Sequence, residues 1–146
     1  MPRNVSLTLL IFLCSFRLSA QPLSELEESM IKQCLDEIYT MNFHKADSIL
    51  SLYEAQRAFN PSFYILKSYY IRWKHLPIAE GTTAYKRYYS YLDSAITYSG
   101  STLKANPDDL EASYYKMSAH IMISELLAAN GDFVKGAIEG RKAFPF

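Results

Sequence analysis

The sequence predicts an all-α protein, and three observations support this fold class. Apolar residues recur three and four positions apart over most of the chain, which is the period of one face of a helix. Alternation at the period of a strand is scarce, and Asn, Asp and Gly stand where the apolar segments begin and end. With 49% hydrophobic residues and only two cysteines among 146 residues, the chain has material for a core and excludes both a disordered tail and a disulfide-stapled scaffold.

The first 20 residues have the layout of a secretory signal peptide. Arg3 precedes an apolar run over residues 5–16, no acidic residue is present, and small residues follow before Gln21. The run is shorter than the roughly 20 apolar residues that span a bilayer. Cleavage between Ala20 and Gln21 is therefore predicted, and the protein is expected to be exported, periplasmic or secreted. The alternative is a buried N-terminal helix, which would show a polar stripe.

Removal of this segment changes both the charge and the cysteine content. The remaining 126 residues hold 13 basic and 15 acidic side chains, a net charge of −2 that argues against nucleic acid as a partner. No further stretch reaches spanning length, so no stable membrane span is expected. Lipid attachment at Cys14 is disfavoured, because the large Leu13 stands where a lipoprotein signal needs a small residue. Cys34, the remaining thiol, is predicted to pack as a small apolar side chain.

Residues 21–146 are predicted to hold six helices. The first, over about 24–40, begins at a capping box of Ser24 and Glu27, and the second, over about 43–59, stops before Pro61. The third helix begins at Asn60–Pro61 and ends or kinks at His75–Leu76–Pro77. The fourth helix follows Gly81, and Gly100 makes its last turns doubtful. The fifth helix begins at Pro107–Asp108–Asp109 and ends at Asn130–Gly131, and the sixth begins near Asp132. Apolar spacing predicts inward-facing residues in the first two helices: Leu26, Met30, Cys34, Ile38, Ala46, Ile49, Leu50 and Tyr53.

Short segments recur along the chain in a fixed order. At a displacement of 45 or 46 residues, Asp47–Ser48 recurs as Asp93–Ser94, Asn60–Pro61 as Asn106–Pro107, and Ser68–Tyr69–Tyr70 as Ser113–Tyr114–Tyr115. Residues 42–46 are echoed by residues 132–136, at a displacement of 90. Each period holds two helical segments, so the predicted unit is a helix hairpin, with about two and a half hairpins in the chain.

The segment from Gly131 to Ile138, with Arg141–Lys142–Ala143 after it, resembles the turn and second helix of a tetratricopeptide (TPR) repeat. Gly136, Gly140 and Ala143 would supply the small residues that let neighbouring helices approach closely. The resemblance implies antiparallel helix hairpins stacked as a TPR-like α-solenoid. It also implies a concave face, lined by the first helix of each hairpin, that binds a peptide or protein segment.

Two features depart from this family. Its repeat is about 34 residues long, whereas the period here is about 45, which implies longer first helices. Met41–Asn42 stands where the first hairpin would have Gly–Asp. A HEAT-like array, with a unit of about 40 to 47 residues, fits the length better and the turn residues worse, and it is the runner-up.

The sequence carries no recognisable catalytic constellation, and neither an enzyme nor a cofactor is expected. Phosphate-binding loops, nucleophile elbows and HExxH patterns are absent. His44, His75 and His120 are 31 and 45 residues apart, without the spacing of a helical zinc site, so no metal is expected.

Clustered aromatic and basic residues are the best functional candidates. Tyrosine, tryptophan and arginine dominate binding hot spots, and consecutive aromatics on a helix cannot all face the core. The candidate ligand groove comprises Tyr69, Tyr70, Arg72, Trp73, Lys74 and Tyr114. The expected function is an exported scaffold that binds a protein or peptide; the alternatives are a glycan-binding scaffold and an accessory part of a larger enzyme. With Phe144 and Phe146 at its end, the chain is expected either to begin a longer array or to pair through that end.

Overall fold

The computed structural model describes residues 25–57 and 59–144. The predicted signal segment, its cleavage between Ala20 and Gln21, and the Ser24 cap lie outside these residues. The described part is all-α, as predicted, and contains no strand. Its helices are α1 (Glu25–Tyr39), α2 (Phe43–Arg57), α3 (Pro61–His75), α4 (Thr83–Ala105), α5 (Leu110–Ala129) and α6 (Phe133–Lys142).

Side-chain caps fix the starts of three helices. Asn60 Oδ1 accepts a hydrogen bond from Ser62 N at 3.0 Å, with Pro61 as the first residue of α3, as the sequence predicted. Thr82 caps α4 in the same way. At α5 the cap is Asp109, whose Oδ1 accepts from Ala112 N at 2.8 Å, so the helix begins three residues beyond Pro107. Gly100 does not end α4.

The apolar stripes read from the sequence for α1 and α2 form part of the core, with one exception. All four inward-facing residues predicted in α2 are buried, as are Cys34 and Ile38 of α1. Leu26 is wrongly predicted to face inward, because it is 64% exposed while the adjacent Glu27 is buried. The stripe of α1 therefore starts at residue 27, which restores the spacing of three or four residues to Met30 and Cys34.

Helices contact only their near neighbours in the chain. Each helix packs against the next, and α3 also packs against α1 and α5. In the part described, the backbones of α2, α4 and α6 do not approach one another closely, and the backbone of α1 does not approach those of α4, α5 or α6. The first helices of the three hairpins therefore form a continuous layer that the second helices do not form.

The first and third hairpins share one turn geometry at a displacement of 90 residues. Met41 and Gly131 both have positive φ, at 60° and 87°. After each, a backbone N–H closes the helix end: Asn42 donates to Glu37 O at 2.8 Å, and residue 132 donates to residue 127 at 2.9 Å. This is the hydrogen bond of a Schellman ending, which usually has glycine at the left-handed position.

Contacts between the helices of these two hairpins also correspond at this displacement. Cys34 Sγ lies 4.0 Å from Ala46 O, and Ser124 Oγ donates to Gly136 O at 2.7 Å. A Cβ on Gly136 would lie only 3.0 Å from Ser124 O, so glycine permits this close approach of α5 and α6. The small residues predicted in α6 thus lie at the helix contact.

The period of about 45 residues is not uniform in the structure. The first helices of the hairpins begin at Glu25, Pro61 and Leu110, so the interval is 36 residues and then 49. The middle hairpin accounts for the excess: its loop spans residues 76–82, and α4 has 23 residues. The expected lengthening of first helices is thus wrong for α1 and α3, which have 15 residues each.

Candidate functional site: an aromatic face on the first helices

Exposed aromatic rings from α1, α3 and α5 lie on one side of the molecule. Tyr39 and Trp73 form an edge-to-face pair with ring centroids 5.3 Å apart, and both remain accessible, at 52% and 37% exposure. Tyr69 lies one turn before Trp73 and is half-buried, and Tyr114 is 59% exposed on α5. Burial, then the nearby Tyr39 and Tyr114, raise the pKa of Tyr69. These four residues define the aromatic face.

An ion pair joins α3 to α5 beside the aromatic face. Arg72 Nη1 donates to Glu125 Oε2 at 2.7 Å, and the guanidinium lies close to the buried Tyr88 of α4. Partial burial of Arg72 opposes its charge, but the hydrogen bond and the negative charge of Glu125 outweigh this and raise the pKa of the guanidinium. Burial raises the pKa of Tyr88 to about 12. Arg72 is thus held charged and oriented by Glu125.

A cavity of about 230 Å³ opens next to this ion pair. Its walls are mainly apolar and come from α3, the 76–82 loop, α4 and α5: Leu76, Pro77, Ile78, Ala79, Tyr88, Leu126, Ala129 and Asn130. Asn130 fixes the loop to α5, because its amide donates to Ile78 O and its Oδ1 accepts from Glu80 N at 2.7 Å. The arrangement is a small apolar cavity with a charged pair at its edge, a combination typical of binding sites.

Four of the six residues predicted for the groove come together, and two do not. Tyr69, Arg72, Trp73 and Tyr114 lie on or beside the aromatic face. Tyr70 is 8% exposed and packs edge-to-face on Phe43 of α2, with ring centroids 6.0 Å apart. Lys74 Nζ donates to Tyr70 Oη at 2.7 Å and lies over its ring. Tyr70 therefore supports the contact between α2 and α3, and Lys74 packs on Tyr70 within α3.

Sequence reasoning missed two members of the site. Tyr39 stands alone at the end of α1, outside the aromatic clusters. Glu125 is 53 residues from Arg72, and no local pattern connects them.

The three histidines do not form a site. His120 is buried, with Nδ1 2.7 Å from Glu139 Oε1, and the other oxygen of Glu139 accepts from Lys142 at 2.7 Å. Burial opposes ionisation of Glu139, but the hydrogen bonds from Lys142 and His120 outweigh it and lower its pKa. This cluster connects α5 to α6. Across the described ranges, no three His, Cys, Asp or Glu side chains lie together as metal ligands.

Comparison with protein-family models, with curated proteins and with solved structures returned no match. The resemblance to tetratricopeptide repeats therefore stays a prediction from the residues that carry it. Within residues 25–57 and 59–144, no helix combines the length and apolar character needed to cross a bilayer.

Proposed function

We propose that the chain is an exported helical-repeat scaffold of tetratricopeptide type that binds a protein or peptide segment through the aromatic face. The contact pattern supports a stacked array, since α1, α3 and α5 pack in sequence while the backbones of the second helices do not approach one another. Such an arrangement splays the second helices and places the first helices on the inner side of the curve. The common turn of the first and third hairpins supports a repeated unit.

The observation that carries the proposal is the accessible Tyr39–Trp73 pair beside Arg72. Rigid rings with polar tips give large contact area at low entropic cost, and together with arginine they are the side chains most enriched at binding hot spots. The 230 Å³ cavity is smaller than a typical pocket for a whole ligand and suits one apolar side chain of a bound segment. The pair of Arg72 and Glu125 offers both donors and acceptors next to that side chain.

The proposal also includes export of the protein and a binding role without catalysis. The signal layout before Gln21 favours a compartment outside the cytoplasm. The proposal assigns no catalytic group and no cofactor, and it makes the partner a protein or peptide. Glycan binding remains the alternative, because the exposed Tyr39 and Trp73 rings also suit sugar faces.

The experiment uses the chain as bait, followed by mass spectrometry of captured proteins and titration of the captured segment. Trp73 is the single tryptophan of the chain, so its emission reports events at the aromatic face directly. We expect Trp73→Ala and Tyr39→Ala to weaken binding about 10- to 30-fold, as hot-spot truncations do. The matched control is Tyr89→Ala, since Tyr89 is as exposed as Trp73 but lies on α4.

Two results would contradict the proposal. Retention of the chain on polysaccharide beads, lost in Trp73→Ala and without a protein partner, would establish the glycan alternative. Equal losses in Trp73→Ala and Tyr89→Ala would show that the aromatic face has no special role.

A further inference from the structure

A second cavity, of about 360 Å³, lies where the end of α4, the first turns of α5 and the end of α6 meet. Its volume is within the range of about 300 to 1,000 Å³ that small-molecule sites occupy, whereas the cavity beside Arg72 is smaller. Most of its wall is apolar. The side chains that form this part of the wall are Leu103 of α4, Leu110, Tyr114 and Met117 of α5, and Ala143.

The second cavity opens to solvent on one side. Leu110 and Tyr114 are 84% and 59% exposed and therefore stand at its mouth. Ala143 is buried, and Leu103 and Met117 are half-buried, so they form the deeper wall. An alkyl chain in this cavity would remove apolar surface of the chain and of the protein from water at the same time, which favours binding.

The polar part of the wall is basic. It consists of Ser113, Lys116 and Lys142, and no acidic residue of the described ranges is part of the wall. Lys142 already has a partner, because its ammonium donates to Glu139 Oε2 at 2.7 Å. Lys116 has no such partner, since no carboxylate in the described part of the chain lies within ion-pair distance of its ammonium.

The environment of Lys116 differs from that of the other buried or half-buried cations. Within residues 25–57 and 59–144, two lysines are half-buried, Lys67 and Lys116, and Lys67 pairs with Glu54 at 3.3 Å. The charge of Arg72 at the smaller cavity is likewise matched, by Glu125. A half-buried ammonium without a counter-charge, next to an apolar wall, is complementary to a ligand that has both an alkyl chain and an anionic group.

We propose that the second cavity binds a long-chain aliphatic carboxylate, with its alkyl chain against Leu110, Met117 and Ala143 and its carboxylate paired with the ammonium of Lys116. The head group decides among amphiphiles of equal chain length. A neutral head would leave Lys116 without a counter-charge, and a cationic head would be repelled by it. The site is independent of the proposed peptide-binding role, although Tyr114 borders both the second cavity and the aromatic face.

The test titrates the purified full chain, isotope-labelled at the methionine methyl groups, with dodecanoate below its micelle concentration, and follows each methyl by NMR. We expect the Met117 resonance to shift to saturation and that of Met41, which is 65% exposed on the first hairpin, to stay constant. Dodecanol and dodecyltrimethylammonium should bind at least about 10-fold more weakly, because neither forms the charged hydrogen bond. Decanoate, with two methylene groups fewer, should bind about 10- to 15-fold more weakly than dodecanoate.

Variants separate the charge from the apolar wall. Lys116→Gln should weaken dodecanoate binding about 10-fold and leave dodecanol binding unchanged. Lys86→Gln is the matched control, since Lys86 is exposed on α4 and precedes Leu103 by 17 residues, or about 25 Å along the helix. Ser113→Leu places an alkyl group in the cavity and should weaken the binding of both ligands.

Three results would overturn the proposal. Equal shifts of Met117 and Met41 would show that dodecanoate only adsorbs to exposed apolar surface. Equal affinities for the three dodecyl compounds, or wild-type affinity of Lys116→Gln for dodecanoate, would show that no anionic group is recognised. Trp73→Ala should bind dodecanoate as the wild type does, so failure of this proposal is distinguishable from failure of the aromatic face.

Discussion

Replacing Met41 with glycine should stabilise the protein. Met41 has a φ of 60°, a left-handed conformation that costs a residue with a Cβ about 1 to 2 kcal/mol. Glycine removes this cost, but it also raises the conformational entropy of the unfolded chain, which lowers the free energy of unfolding by about 0.4 to 1 kcal/mol. The Met41 side chain is 65% exposed, so its removal sacrifices little packing. The difference between these two ranges gives an expected net gain in the free energy of unfolding of about 0 to 1.6 kcal/mol, and its centre, about 0.8 kcal/mol, corresponds to about 3 to 6 °C in Tm.

The assay is urea denaturation followed by circular dichroism, with two controls. Met41→Ala keeps the positive φ and a Cβ, so it should change the free energy of unfolding much less than Met41→Gly. Gly131→Ala is the reverse change at the equivalent turn; a Cβ there meets no atom within 4 Å, and the expected loss of about 1 kcal/mol comes from the backbone alone. The reasoning is refuted if Met41→Gly and Gly131→Ala are both destabilising, because the two turns would then not be equivalent.

Two further predictions concern the core. Gly136→Ala should lower the free energy of unfolding by about 1 to 3 kcal/mol, because its Cβ would lie 3.0 Å from Ser124 O; Gly100→Ala, with open space around it, should instead gain about 0.5 to 1 kcal/mol. Stability should also fall as the pH rises from about 9 to 12. Burial raises the pKa of Cys34 from 9.0 to about 12 and that of Tyr88 from 10.0 to about 12, so the unfolded chain ionises first. Urea midpoints at stepped pH measure this decline, and a Tyr88→Phe variant that declines as steeply as the wild type would contradict the role of Tyr88.

Helix boundaries could be predicted from the sequence because they depend on local chemistry. Asn60–Pro61 and Asn130–Gly131 act within one turn of the chain, through a side-chain cap and a left-handed residue. The predicted uniform period of about 45 residues is wrong, because the 76–82 loop and the 23 residues of α4 lengthen the middle hairpin. The matching dipeptides at displacements of 45 and 46 therefore fall at different places in their helices: Tyr70 is buried, whereas Tyr115 is only partly so.

The sequence predicted that the candidate site would consist of aromatic and basic residues, and it predicted the contribution of helix α3. Trp73 and Tyr69 follow from the aromatic cluster on α3. Their partners come from other hairpins, and the pairing of Arg72 with Glu125 depends on how α3 and α5 stack. Such contacts are decided by the tertiary arrangement, for which the sequence contains no local signal.

The first and third hairpins correspond in structure in a way that is difficult to recognise in the sequence. Where the first hairpin has Met30 and Ile49, the third has His120 and Glu139, which are buried and paired at 2.7 Å. A buried carboxylate is tolerated only when it is paired and hydrogen-bonded, so the two residues must change together. An alignment of the two hairpin sequences counts this double change as two mismatches, although each pair of residues occupies the corresponding positions in its hairpin. The backbone hydrogen bonds of the two turns, by contrast, agree residue for residue. The correspondence between the first and third hairpins is therefore carried by turn geometry and by the close approach of helices at Ala46 and Gly136.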